Sequence, residues 1–180
     1  MKLDALERYL NSFGRKVVSQ AKENLASADK GGELEKSIGF FVTADKGLIT
    51  VKFKMLPYGK FVDRGVSGTE KERSYTNYKG KTLVSPFRYK KSKGHSQPPT
   101  KALDKWIVKK GIAPRDKAGK FMSRKTIKFL IARSIGKKGI QGISFFQKPL
   151  MLGMQQFNKQ FGASLKESII DSLKHQKIIS

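Results

Sequence analysis

The chain contains no cysteine, which excludes disulfide bridges and thiolate metal sites and fits a reducing compartment. Histidine is almost as scarce. His95 and His175 stand apart from any pattern of carboxylates that would make either a base or a ligand, so both read as exposed polar residues. Acids number 14 against 38 Lys and Arg. Among them Asp63, Glu70, Glu72, Asp104 and Asp116 show no spacing suited to a two-metal nuclease. A phosphate-cradling loop of glycines and a lysine is missing as well. No apolar run approaches the roughly 20 residues needed to cross a bilayer. Met1-Lys2-Leu3-Asp4 passes straight into an amphipathic pattern, so no secretory signal is expected. These absences predict a soluble protein made in the cytoplasm, with no enzymatic activity, no cofactor and no metal.

What is present is positive charge, unevenly placed. Of the net +24, a surplus of 17 falls in residues 66–140, which hold 21 Lys and Arg against 4 acids. The remainder holds 17 against 10. A nearly neutral scaffold therefore carries a strongly cationic middle, which calls for a polyanion or a negatively charged protein surface nearby. With 180 residues, 38% of them hydrophobic and 12 of them Phe, the chain can bury the core of a single domain, 1–180.

Periodicity orders the elements. Leu3, Leu6, Leu10, Phe13, Val17, Ala21, Leu25 and Ala28 form one stripe of a long first helix, which Asp29-Lys30-Gly31-Gly32 should stop. Residues 38–43 and 48–55 read as strands joined by Ala44-Asp45-Lys46-Gly47, the second alternating Ile49, Val51, Phe53 and Met55 with Thr50, Lys52 and Lys54. Residues 66–99 lack a helical period and read as a projecting arm, with a second hairpin pairing 73–78 with 82–89 across Lys79-Gly80-Lys81. Thr100 is expected to cap a helix bearing Leu103, Trp106 and Ile107 and ending at Gly111. Ser123 should cap another with Ile127, Leu130, Ile131 and Ile135 inward, closed by Gly136. Residues 139–146 read as a late strand or extended segment returning to the sheet. Pro149 sits in the first turn of a last helix burying Leu150, Met154, Phe157, Phe161, Leu165, Ile169 and Leu173. The fold class is α+β: a small antiparallel sheet, hairpin plus late strand, packed on long N- and C-terminal helices, with a basic arm and two lysine-rich helices inserted.

The candidate contacts to DNA or a partner are Arg73, Lys79, Lys81, Arg88, Lys90, Lys91, Lys93, Lys109, Lys110, Arg124, Lys125 and Lys128. Tyr75, Tyr78, Phe87 and Tyr89 interleave with the arm's cations, and can stack on bases or anchor the arm on a neighbouring subunit. Tyr58, Phe61 and Val62 fit a core reading, and Gly65 a backbone requirement.

The order of short motifs resembles the tail-completion, or neck (head–tail joining), proteins of tailed bacteriophages. The residues that carry it are Gly32-Glu33-Leu34-Glu35-Lys36-Ser37-Ile38 leading into the hairpin, then Tyr58-Gly59-Lys60-Phe61-Val62-Asp63-Arg64-Gly65, then Phe145-Phe146-Gln147-Lys148-Pro149-Leu150. The likeness spans residues 1–65 and about 101 to the end; Asp63 stands where that family usually has Glu, and the stretch between the last two motifs is longer. The resemblance implies structural roles for Gly32, Leu34, Ser37, Tyr58, Phe61, Val62, Asp63, Gly65, Phe146 and Pro149. It also implies a virion protein of the phage neck or tail (a head–tail connector, tail-completion or tail-terminator component), assembled in the host cytoplasm. Such a protein forms a homo-oligomeric ring, a hexamer or dodecamer, around the DNA channel. Its partners would be itself, portal or connector and tail tube proteins, and genomic DNA through non-specific contacts, with no membrane. The alternative is a free nucleic-acid-binding protein whose basic middle grips phosphates.

Overall fold

The computed structural model describes residues 4–45, 48–92, 96–115 and 118–177; the side chains of 4–5, 158–160, 163–164, 167–169 and 171–177 are not included. Leu3, Lys46, Gly47, Lys93, His95 and Asp116, and the side chains of Ile169, Leu173 and His175, therefore lie outside the described residues. The fold is α+β, with two small two-stranded antiparallel sheets. The chain divides into two units. One comprises Met1–Asp63, Thr76–Thr82 and Ser144–Ser180; the other comprises Arg64–Tyr75 and Leu83–Ile143.

In the first unit, α1 (Asp4–Ser27) packs along α6 (Gln147–Lys177). Leu6, Leu10, Val17, Ala21 and Leu25 are buried as the periodicity predicts. The helix ends where expected, at Asp29, which takes a positive φ of 52°. On α6 the buried line runs through Pro149 and Gly153, whereas Met154 is exposed. The inward line is thus displaced one position from the expected Met154. Its cause is close approach: a Cβ on Gly153 would stand 2.7 Å from the Phe13 ring and 3.2 Å from Val17. Phe13, Phe53, Phe146 and Phe157 then join in edge-on contacts with centroids 5.2–6.3 Å apart.

The strands β1 (Gly39–Asp45) and β2 (Leu48–Lys54) form the expected hairpin, in a register that sets Phe40 opposite Phe53 and Val42 opposite Val51. The short α2 (Glu33–Ser37) precedes it. Ser37 Oγ donates to the Leu34 carbonyl at 2.7 Å and accepts from Leu56 N–H at 3.0 Å, so one hydroxyl ties both ends of the hairpin.

In the second unit, a 3-10 turn (Thr100–Leu103) runs into α4 (Asp104–Lys109), and α5 (Arg124–Lys138) follows. Leu103, Ile107, Ile127 and Ala132 form its core, with Ile112, Met122, Ile131 and Ile135 packed against them. Thr100 makes no capping bond, because Pro99 occupies the cap position and the chain starts in a 3-10 turn. Ser123 does cap α5, accepting from Thr126 N–H at 3.2 Å. Two expectations for α5 fail. The helix runs two residues past Gly136, and Leu130 points outward.

Residues 139–146 do not add a strand to the first hairpin. Ile140 instead makes one isolated antiparallel bridge with Val66, with both N–H···O bonds at 2.7–2.8 Å. The second hairpin exists: β3 (Ser74–Thr76) pairs with β4 (Thr82–Val84), and Gly80 supplies the positive φ of its turn. Val66, Ser67, Gly68 and Ser85 are buried, and the hairpin tip is fastened: Ser144 Oγ accepts from Thr76 N–H and Gln147 Oε1 from Tyr78 N–H, both at 3.0 Å.

Candidate interaction surface

Asp63 of the second motif and Phe146 and Gln147 of the third meet at one helix end. The short α3 (Gly59–Arg64) buries Gly59 and, one turn on, Asp63. Asp63 is 3% exposed, and its Oδ1 accepts from Phe146 N–H at 2.9 Å and Gln147 N–H at 3.3 Å. Its carbonyl accepts from Ser144 N–H at 2.8 Å, and the Ser144 carbonyl accepts from Lys148 N–H. The first free N–H groups of the 31-residue α6 are thereby satisfied, with a carboxylate at the positive end of the helix dipole. Phe145 and Pro149 beside it are fully buried.

Because Gly59 and Asp63 take the inward face of α3, Tyr58 and Phe61 lie half-exposed and Val62 half-buried. The core reading of Tyr58 and Phe61 is corrected accordingly. The stripe is offset by a polar residue that hydrophobicity alone would place outside. Leu34 is buried, and Gly32 has a φ of 75° before α2. Gly65 has a φ of 73° in the second unit, where a Cβ would meet Gly142 N at 2.5 Å, so its backbone role holds.

The cationic candidates fall into two groups. Some serve the fold. Arg73 Nε donates to the Lys138 carbonyl at 2.7 Å and its guanidinium reaches Gln141, so this side chain closes the C-terminus of α5. Around it, Thr69 N–H bonds the Gly136 carbonyl, and Glu70 and Lys71 N–H bond the Lys137 carbonyl, at 2.9–3.2 Å. Residues 66–73 are thus the C-cap of a helix end more than 60 positions later in the chain, Arg73 bonding across 65 positions. Lys128 pairs with Asp104 at 2.9 Å, and Arg88 pairs with Glu72.

The others are exposed: Lys90, Lys91, Lys109, Lys110, Arg124 and Lys125 in the second unit, Lys79 and Lys81 on the hairpin tip. Lys79 Nζ lies 5.8 Å from the Tyr78 ring centroid. Arg88 and Lys90 come together on a groove of about 420 Å³ with Tyr89, Ser92, Gln97, Pro98 and Pro99; burial raises the Tyr89 phenol above its ordinary pKa. Sequence reasoning passed over Arg115, whose guanidinium lies 3.9 Å from the centroid of the exposed Phe121.

The second unit holds 20 Lys and Arg against 4 acids, a surplus of 16. Its three described acids are all in ion pairs, Glu70 with Lys137 at 2.7 Å and the two named above. The first turn of α5 carries Arg124 and Lys125 and no acid, cations where the helix dipole favours anions. This unit offers its charge outward and has few acids to balance it within.

The hydrogen bond from Lys137 holds the Glu70 carboxyl below its ordinary pKa, with nearby Lys91 and Arg133 adding to the effect. A depressed folded value means the pair contributes above the ordinary carboxylate range and is lost as pH falls through the depressed value. Carboxyl-carbon NMR should therefore find the Glu70 midpoint lowered in the intact chain and returned toward the ordinary value in Lys137→Ala. An unchanged midpoint in that variant would remove the assigned cause.

Among the described residues no cluster of three or more His, Asp or Glu could hold a metal, and no helix is long and apolar enough to cross a membrane. Comparison with protein-family models, curated proteins and solved structures gave no match to this chain.

Proposed function

We propose that this chain is a non-catalytic assembly protein that docks through its cationic unit. The specific reading is a neck or tail component of a tailed bacteriophage, forming a ring around the DNA channel. The observation that carries docking is the second unit's surplus of 16 positive charges, displayed where every described acid is already paired. Charge of this density disfavours the isolated state by self-repulsion, and an anionic neighbour offsets it. Support for the phage reading comes from the motif residues. Asp63 and Phe146–Gln147, 83 and 84 positions apart, meet in one capping site, so their order in the chain has a structural use. A heterologous contact repeated around an axis turns one modest interface into a closed ring.

Light scattering and negative-stain microscopy of the purified chain test this. Closed rings of six or twelve copies are expected, alone or with an added portal or connector protein. A chain that stays monomeric under all these conditions would overturn it.

The exposed pairing of Lys79 with Tyr78, and the groove that Lys90 and Tyr89 line together, favour a second reading as a free nucleic-acid binder. A monomer that shifts duplex DNA or RNA, with affinity falling steeply as salt rises, would select it.

A further inference from the structure

We propose that the outward face of α5 is a docking site for an acidic amphipathic helix of a partner protein. The helix carries apolar residues on both sides. Ile127, Ile131, Ala132 and Ile135 face the unit's own core, while Phe129 is 48% and Leu130 47% exposed on the opposite side. Lys125, Phe129 and Arg133 follow one another at single-turn spacing, with Leu130 alongside. Lys125 and Arg133 are exposed; Glu70, whose charge Arg133 feels, is ion-paired with Lys137, and Asp104 with Lys128. About half of each of these two side chains is exposed, framed by cations, on a helix whose other side packs the unit's core.

Charge and chemistry choose the occupant. A second copy of this face would bring like charges together in a unit that already carries a surplus of 16. Duplex nucleic acid matches Lys125 and Arg133 but sets Phe129 and Leu130 against phosphates and sugars. A single strand can stack a base on Phe129 yet offers no aliphatic partner for Leu130. A helix whose leucine stripe is flanked by Asp and Glu meets all four side chains. This goes beyond the ring proposal and is read separately from it, since it concerns a different partner and needs no ring to form.

Fluorescence anisotropy on the full chain tests it with three labelled probes. They are an amphipathic Leu/Glu peptide of about 20 residues, a poly-glutamate peptide of equal charge, and duplex DNA. The Leu/Glu peptide is expected to bind at least about tenfold tighter than poly-glutamate. Replacing both Phe129→Ser and Leu130→Ser should erase that advantage and leave poly-glutamate binding unchanged. Lys125→Glu with Arg133→Glu should weaken both peptides more than about tenfold. Circular dichroism confirms folding, and Phe129→Ala serves as the milder variant. Equal binding of the two peptides overturns the proposal. So does indifference to the Phe129 and Leu130 changes, DNA displacing the Leu/Glu peptide at physiological salt, or loss of self-association as the main effect of those changes.

Discussion

Gly68→Ala is expected to destabilise the second unit by roughly 3–5 kcal/mol, lowering its thermal midpoint by more than about 10 °C. The added Cβ would lie 1.9 Å from the Lys137 carbonyl oxygen and 2.6 Å from Gly139 N. Neither neighbour is the movable end of a side chain. Both belong to the backbone that closes α5, where the Lys137 carbonyl also accepts from Glu70 and Lys71 N–H. Relief of the clash must separate residues 66–71 from the helix end, which leaves buried carbonyls short of donors. Gly111→Ala provides the comparison: φ is +61° there, but nothing lies within 4 Å of the new atom. Only local strain applies, about 1 kcal/mol. Thermal or denaturant unfolding followed through Trp106 reports on this unit, whose α4 carries that residue. Equal effects of the two substitutions would show that space at Gly68 is not limiting.

Asp63→Ala should cost about 2–4 kcal/mol of the stability of the first unit, through loss of the α6 cap. Two buried N–H groups, on Phe146 and Gln147, lose their acceptor together, and the helix loses the anion at its positive end. Asp63→Asn keeps an acceptor oxygen but not the charge, and should fall between alanine and the natural residue. Hydrogen exchange gives the local readout: protection at Phe146 and Gln147 should drop more than protection in the middle of α1. An alanine variant within about 0.5 kcal/mol of the parent would mean that solvent replaces the carboxylate, contrary to its burial.

Some of this architecture was legible because its cause is local. The α1 stripe from Leu6 to Leu25 follows from a 3.6-residue period, and the β1–β2 register from alternation around Val51 and Phe53. Ser123 as a cap and Pro149 in a first turn follow from which backbone groups those residues can satisfy. Elsewhere the local signal misled. Met154 has the right character for a buried position, yet α1 comes so close to α6 that only glycine fits, and Gly153 takes the place. Leu130 fits an inward stripe, but Ala132 meets the core instead, beside the expected Ile127, Ile131 and Ile135.

The candidate surface divides in the same way. Counting charges located the cationic region, because net charge is a property of composition and needs no fold to be read. Which of those charges face outward was settled by tertiary structure alone. Arg73 and Lys90 look alike in the chain, yet one grips the end of α5 while the other stands in solvent. Asp63 looks like a surface acid until the start of α6 is brought against it. A residue's type states what it can bond; whether the partner is water, backbone or another protein depends on segments many positions away, which no local pattern encodes.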